Sequence, residues 1–106
     1  MNGSIQKYIS LMKLTHIGLK DLGKSQQRQR KSEDRVSALG GRSLAFYAAM
    51  GSYDFIQIFE MPNNESMLLY VMSARQDGYV DPLILPIFDS EVWNGIAENI
   101  TKTVIK

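Results

Sequence analysis

Four stretches of the chain are apolar enough, and short enough, to predict β-strands. The first, Gln6–Leu14, has apolar side chains on both faces, which is typical of an interior strand that is covered on two sides. The second and third form a predicted hairpin over Arg42–Met61, and the fourth is Tyr79–Phe88. Pro82 and Pro86 interrupt the fourth stretch. Because proline has no N–H to give to a ladder, this strand is predicted at an edge of the sheet.

The centre of the hairpin, Ala45–Met61, contains Gly51-Ser52, a pair that favours a two-residue turn. Such a turn fixes the register and predicts four facing pairs: Met50 with Tyr53, Ala48 with Phe55, Phe46 with Gln57, and Leu44 with Phe59. These residues form one face of the hairpin. The opposite face is rich in alanine and carries Ala45, Tyr47, Ala49, Ile56 and Ile58. Small side chains permit close approach, so we expect the helices on the alanine-rich face and a second copy of the chain on the other.

Helical patterns fill the segments between the strands. Thr15–Leu39 is helical in character but broken, with Thr15 and Ser25 as predicted N-caps and a stop at Gly40-Gly41. Ser66–Gln76 has apolar residues around its whole circumference, which predicts a helix buried on more than one side.

A last helix is predicted after Asp89, which has the side chain of an N-cap. Its apolar positions recur at helical spacing and form one stripe, made of Val92, Trp93, Ile96, Ala97, Ile100 and Val104.

The predicted order is β-α-β-β-α-β followed by a helix, which indicates an α+β fold: a ferredoxin-like sandwich with an antiparallel four-stranded sheet. The first and third strands would be the inner pair. Two helices cover only one face of such a sheet, and a large uncovered apolar face usually marks an interface. We therefore expect a homodimer or higher homo-oligomer that associates through the sheet face. Residues 6–106 would form one domain, preceded by a flexible N-terminus over residues 1–5.

Composition narrows the possible functions. The chain has 106 residues, 44% of them hydrophobic and 22% charged, with a formal net charge of +1. Nearly balanced charge argues against nucleic-acid or membrane binding driven by bulk charge. The absence of cysteine excludes disulfides and thiolate sites. The longest apolar run, Met67–Met72, is far too short to span a bilayer. We expect a cytoplasmic protein with no metal, no cofactor, no nucleic-acid partner and no membrane partner.

The hairpin also carries a resemblance. The segment Phe46–Asp54, FYAAMGSYD, resembles the signature of the GYD-domain family, named for Gly-x-Tyr-Asp. Further similarities follow in the family's order over roughly Tyr8 to Ile100, namely Leu14-Thr15, Gly18-Leu19-Lys20, Ser25-x-x-Arg28, Gly40-Gly41 and Gly78-x-Val80. Gln26 stands where the family often has proline, and Asp81-Pro82 departs from its usual pattern. The resemblance implies a dimeric α/β-barrel of ferredoxin-like subunits. Structural relatives in that superfamily include cofactor-independent monooxygenases, isomerases, haem-degrading proteins and ligand-sensing domains.

A few polar residues are candidates for chemistry. His16 is the only histidine and the only side chain that titrates unperturbed near neutral pH, although a place in the loop or at the helix start after the first strand accounts for it better than a role as a base. Tyr47 and Asp54 share the alanine-rich face and are the other ligand-pocket candidates. Asp54 alternatively bonds to nearby backbone. Arg28, near a predicted helix start, is the candidate for an anion site, or else part of a solvated basic stripe.

Two functions remain open from the sequence. The first is a ligand-binding or structural oligomeric module, which the absence of a visible catalytic cluster favours. The alternative is a small cofactor-independent enzyme, similar to a monooxygenase or an isomerase. It would act on an apolar or aromatic metabolite, with His16, Tyr47 and Asp54 converging on a cavity between sheet and helices.

Overall fold

A computed structural model describes residues 5–104 of the chain, with side chains as far as Lys102. Its strands and helices are, in chain order, β1 (Gln6–Leu14), α1 (His16–Lys20), α2 (Ser25–Ala38), β2 (Arg42–Ala48), β3 (Phe55–Met61), α3 (Asn64–Asp77), β4 (Val80–Ile87) and α4 (Ser90–Asn99). A 3-10 turn at Leu22–Lys24 precedes α2, and a π-helical turn at Ile100–Val104 follows α4. Residues 1–4 of the predicted flexible N-terminus, and the side chain of Val104 in the predicted stripe, lie outside the described part.

The four strands form one antiparallel sheet in the order β2-β3-β1-β4. This order confirms the ferredoxin-like α+β arrangement, with β1 and β3 at the centre. Pro82 and Pro86 lie on the edge strand β4, where a missing N–H leaves no break in the interior of the sheet.

Side-chain caps begin three of the four helices. The side chains of Thr15, Asn63 and Asp89 accept hydrogen bonds from backbone N–H groups in the first turns of α1, α3 and α4. The expectation that Ser25 caps α2 is wrong, because Ser25 is the first residue of the helix and its hydroxyl bonds back to the carbonyl of Leu22. The predicted stop of α2 is confirmed: Gly40 has φ +87°, a left-handed conformation that glycine adopts without steric cost.

The hydrophobic core lies between one face of the sheet and helices α2 and α3. Its buried members are Tyr8, Val36, Phe59, Met61, Met67, Tyr70 and Val71. The helices therefore cover the face that carries Gln57 and Phe59, and the predicted assignment of the two hairpin faces is wrong. The sheet contributes large side chains to this core, namely Tyr8, Phe59 and Met61. Helix α2 approaches with smaller side chains such as Ser32 and Val36, so large strand residues fill the space between the layers.

The hairpin register is confirmed near the turn and wrong at the far end. Ala48 faces Phe55 and Phe46 faces Gln57, as expected, but an irregularity between Ser43 and Ala45 places Ser43 opposite Phe59. Leu44 is the extra residue of this bulge and does not face Phe59. The strands end at Ala48 and resume at Phe55, so the connection is a longer loop with Gly51 at φ +113° rather than a regular two-residue turn.

Two apolar surfaces remain open. One is the sheet face opposite α2 and α3, called here the open face, with β-strand residues Ala45, Tyr47, Ile9, Leu11, Ile56, Ile58, Leu83, Leu85 and Ile87. The other is α4, which packs against its own π-helical turn and scarcely touches the sheet or the other helices. Helix α3 is also less buried than its sequence predicts, because Leu68, Leu69 and Met72 are exposed.

Candidate functional site

A cavity of about 90 Å³ lies between the sheet and helices α2 and α3, near the end of β1 and the start of β3. Residues from every strand, both helices and the turn before β4 line it. They are Met12, Leu14, Ser25, Arg28, Gln29, Lys31, Ser32, Arg35, Phe46, Phe55, Gln57, Tyr70, Ala74, Asp77, Tyr79, Val80 and Pro82. The cavity therefore has a sheet side, a helix side and a rim, and each differs in chemistry.

The sheet side is apolar. Alternation along the strands points Met12, Leu14, Phe46, Phe55 and Pro82 toward the helices. The rings of Phe46 and Phe55 lie across neighbouring strands with their centroids 5.5 Å apart and their planes tilted by 34°. Such a surface favours an apolar ligand body, since burying it removes hydrocarbon from water on both partners.

Three polar side chains meet inside the cavity, where the sheet faces the helices, and form its polar wall. The hydroxyls of Ser32 and Tyr70 are 2.6 Å apart, and they lie 3.2 Å and 3.3 Å from the amide oxygen of Gln57. Two hydroxyl protons can form only two of these three hydrogen bonds at once. The group can therefore change its bonding pattern when another acceptor or donor enters, which makes it a suitable contact for a ligand.

Burial controls the ionisation of the Tyr70 phenol. Removal from solvent raises the pKa of Tyr70 above its ordinary value of 10.0, while the hydrogen bond to Ser32 and the charge of Arg35 act in the opposite direction. The phenol is therefore a neutral donor throughout the physiological range. It can bind a ligand oxygen, but it is a poor base.

Basic side chains dominate the rim. The lining includes three cations, Arg28, Lys31 and Arg35, against the single carboxylate of Asp77. Asp77 Oδ2 is 2.8 Å from Nη2 of Arg35 and 3.8 Å from Nζ of Lys31, so this one carboxylate serves two cations. The excess of positive charge favours an anionic ligand.

Arg28 is the cation held most firmly at the rim. Its Cζ lies 3.7 Å from the centroid of the Tyr79 ring, a cation–π geometry, and its Nη2 is 3.1 Å from Oδ2 of Asp21. Its Nη1 is buried and has no hydrogen-bond partner among the described residues. A buried guanidinium N–H without an acceptor costs about 1–3 kcal/mol, a cost that a ligand oxygen would remove.

The sequence candidates His16, Tyr47 and Asp54 do not converge, and none of them lines this cavity. His16 is the exposed first residue of α1. Tyr47 lies exposed on the open face, because the helices cover the opposite side of the hairpin from the one expected. Asp54 Oδ2 accepts a hydrogen bond of 2.8 Å from the backbone N–H of Leu14, which matches the structural alternative.

Of the sequence candidates, Arg28 lines this cavity, whereas Gln57, Tyr70 and Ser32 were not among the candidates. A signal for Gln57 was present, since it is the one polar residue in the run Phe55–Phe59. It is fully buried, and a buried amide needs polar partners. Those partners are Ser32 of α2, Tyr70 of α3 and Ser43 of β2, so the cluster depends largely on tertiary contacts that residue spacing does not encode.

The described lining of the cavity offers few acid–base groups. Among the described lining residues there is no histidine, and the one carboxylate is paired with cations. Across residues 5–104 no three histidine or carboxylate side chains form a group that could hold a metal ion. No helix in the described part of the chain is long and apolar enough to cross a membrane.

Comparison with known proteins identifies one matching family. The family model described as GYD domain matches residues 8–97, which is most of the chain and includes most of β1 and all of β2, β3 and β4. A comparison with the curated proteins finds no match.

Proposed function

This protein belongs to the GYD domain family, and we propose that it is a small-molecule-binding module that works as a homodimer. The ligand would be a small molecule with an apolar body and one anionic group. The single observation that carries this proposal is the cavity, which combines an apolar sheet side, a neutral polar wall and a basic rim.

Each part of the cavity supports one property of the ligand. The Phe46 and Phe55 rings favour an aromatic or aliphatic body. Ser32, Gln57 and Tyr70 offer hydroxyl and amide groups to a polar substituent. The excess of cations at the rim, and the unpartnered Nη1 of Arg28, favour a carboxylate, because a guanidinium binds carboxylates with strong charge-assisted hydrogen bonds.

The volume limits the size of the ligand. The cavity of about 90 Å³ exceeds the roughly 10–15 Å³ that one water molecule needs. It is smaller than the roughly 300–1,000 Å³ of sites for drug-sized molecules. A short-chain or single-ring acid is the class that fits these limits.

The alternative, a small cofactor-independent enzyme, has less support. It relied on a convergence of His16, Tyr47 and Asp54, and these residues lie apart from the cavity. A reaction would need a base poised near neutral pH, whereas Tyr70 is held neutral and Asp77 is paired with Arg35 and Lys31. Turnover of a bound acid, seen as a new product, would favour the enzyme over the module.

A panel of small carboxylates, each with its neutral primary amide, tests the ligand class. Backbone amide resonances would be followed by NMR as each compound is added to the full chain. We expect carboxylates to shift the resonances of cavity residues such as Ser32 and Gln57, and the matched amides to bind at least tenfold more weakly. Equal binding of acid and amide would contradict the anionic class, and shifts located elsewhere would contradict the site.

The open face supports the homodimer. It has an apolar centre on all four strands, and its charged residues occur in opposite-sign pairs, with Lys7 opposite Glu60 and Lys13 opposite Asp81 in the register. An apolar patch with a balanced polar rim suits an isologous two-fold contact, in which the same surface meets itself. Exposed Tyr47 is the one aromatic side chain of this otherwise aliphatic face and, from the edge strand β2, would be an anchor of that contact.

A charge placed on the open face tests the association. Leu85→Asp puts a carboxylate where an apolar side chain would be buried, and we expect it to convert the dimer to a monomer in analytical ultracentrifugation. The control is Leu68→Asp, because Leu68 is an exposed leucine on α3, away from the open face. A wild-type chain that sediments as a monomer at micromolar concentration would overturn the proposed dimer.

A further inference from the structure

Helix α4 carries an apolar stripe that the described part of the chain leaves about half exposed. Val92, Trp93, Ile96 and Ile100 are 44%, 57%, 44% and 38% exposed, and they recur at the spacing of one helix face. No residue of α4 is buried. The helix projects from a molecule whose longest dimension is 55 Å against a shortest of 19 Å.

Such a helix needs a partner to be stable. Isolated helices of fewer than about 12–15 residues are marginal in water, and most helical stability in proteins comes from packing of the apolar face. Asp89 caps the helix well, yet a cap supplies only part of that stability. An exposed stripe that contains the chain's one tryptophan indicates a surface that another molecule covers.

We propose that α4 is an intermolecular arm whose apolar stripe docks on a second copy of this chain. There it would extend the dimer contact formed by the open face. Each subunit would give one arm and receive one, as two-fold symmetry requires.

Continuity favours a second copy as the occupant. Helix α4 follows β4 after only two residues, Phe88 and Asp89, and Phe88 is itself exposed. Leu83, Leu85 and Ile87 of β4 belong to the open face. The two uncovered apolar surfaces therefore adjoin at one end of the molecule, and a partner seated on the first is within reach of the second.

The size of the contact points the same way. The open face offers about a dozen side chains, whereas a standard interface takes roughly 20–30 residues from each partner. The face alone falls short of that size. The stripe of α4 would enlarge the contact by four apolar side chains.

Charge is compatible with this placement. Helix α4 contains Glu91 and Glu98 and no basic residue, while the open face carries Lys7 and Lys13 beside Glu60 and Asp81. This balance of charges on the face neither drives nor opposes the docking of an acidic arm. In its own chain the covered face is already occupied by α2 and α3, and α4 makes few contacts with any strand.

Trp93 is a built-in reporter, because it is the only tryptophan and it lies in the stripe. The experiment follows its fluorescence in the full chain over a dilution series, with oligomer mass measured on the same samples. We expect emission at short wavelength in the dimer and a shift to longer wavelength that coincides with dissociation. Emission at long wavelength in an intact dimer would show a free arm and overturn the proposal. Short-wavelength emission that persists in the monomer would show an arm folded onto its own chain and also overturn it.

Variants separate the arm from the rest of the interface. Ile96→Asp should raise the dimer dissociation constant at least tenfold and expose Trp93, while Asn94→Asp adds the same charge to the side of α4 opposite the stripe and should do neither. Because α4 scarcely touches the rest of its own chain, the thermal stability of the monomer should not change. If Leu85→Asp abolishes the dimer and Ile96→Asp does not weaken it, the result supports a dimer through the open face and contradicts the docking of α4 on the second copy.

Discussion

Asp54 and Leu14 are joined by a hydrogen bond in which the backbone N–H of Leu14 donates to Asp54 Oδ2 at 2.8 Å. The backbone N–H of Asp54 donates in turn to the carbonyl of Met12, also at 2.8 Å, and its carbonyl accepts from Ala49. One residue therefore ties the β2–β3 loop to the end of β1, beside the strand residues that line the cavity. Asp54, the aspartate of the Gly-x-Tyr-Asp segment, therefore has a structural role. Its position in the sequence alone did not decide between a structural and a functional role.

Removing this carboxylate should destabilise the fold. Asp54→Ala leaves the half-buried N–H of Leu14 without its acceptor, and we expect a loss of about 1–3 kcal/mol in the free energy of unfolding. Asp54→Asn retains an acceptor oxygen and should lose much less. Urea unfolding measures both, with Asp34→Ala, an exposed aspartate on α2, as control. If Asp54→Ala is as stable as that control, the hydrogen bond does not support the fold.

Two glycines near the start of α2 provide a matched pair. A Cβ on Gly18 would lie 2.2 Å from the carbonyl oxygen of Tyr79, whereas a Cβ on Gly23 would meet nothing within 4 Å. Gly18→Ala must push apart α1 and the turn that precedes β4, and we expect a cost of about 2 kcal/mol or more. Gly23→Ala should be neutral or slightly stabilising, since alanine lowers the entropy of the unfolded chain. Similar melting temperatures for the two variants would show that the contact relaxes freely.

Alkaline pH should weaken the fold through Tyr70. Its pKa is raised in the native state, mainly by burial, so the unfolded chain loses this proton near pH 10 while the native chain keeps it. Native protein then binds more protons than unfolded protein, and the free energy of unfolding falls as pH rises above about 10. Tyr8 contributes in the same direction, also because it is buried.

Substitution tests whether Tyr70 causes this loss of stability at alkaline pH. Tyr70→Phe should be less stable at neutral pH by about 1 kcal/mol, through the lost hydroxyl contacts, yet show a smaller further loss above pH 10. Tyr53→Phe, in the loop between β2 and β3 and outside the hydrophobic core, should keep the wild-type dependence. Unfolding curves measured from pH 7 to about 11 compare the three proteins. A wild-type slope in Tyr70→Phe would assign the alkaline loss to other groups.

Arg28 should control the preference for acids. Arg28→Gln removes the guanidinium at the rim, and we expect carboxylate affinity to fall about tenfold or more while affinity for the neutral amides is unchanged. Lys24→Gln is the matched control, because Lys24 also pairs with Asp21 but is exposed and does not line the cavity. Equal effects of the two substitutions would assign the preference to general surface charge.

The strand order and the helix boundaries could be predicted because each depends on local physics. Paired prolines restrict β4 to an edge, and Gly40 ends α2 through a positive φ that other residues rarely adopt. Asn63 and Asp89 cap helices through bonds to residues only three positions away. Such features are encoded within a few neighbouring residues.

The covered face of the hairpin could not be predicted from the hairpin alone, because both of its faces are apolar. The choice depends on α2, which brings Ser32 and Val36 to the sheet and so leaves room for Phe59 rather than for alanine. The cavity depends on the same choice: reversing the faces moved Tyr47 out of the interior and Gln57 into it. Arg28 was identified from the sequence because its position near the start of α2 is local, whereas its unpartnered Nη1 follows from the packing.

Filling the cavity tests most directly whether it is the ligand-binding site. The measurement is the affinity of the filled chain for the carboxylate of the panel that binds most tightly. Ala74 lines the cavity from α3, and Ala74→Leu would occupy the space, while Ala38→Leu makes the same change at an exposed position on α2. We expect calorimetric titration to find the affinity for this carboxylate reduced more than tenfold in Ala74→Leu and unchanged in Ala38→Leu. All three proteins should have similar or slightly increased stability, since filling an apolar cavity commonly adds about 0.5–2 kcal/mol. Equal affinity in the wild-type chain and in folded Ala74→Leu would contradict the claim that this cavity is the binding site.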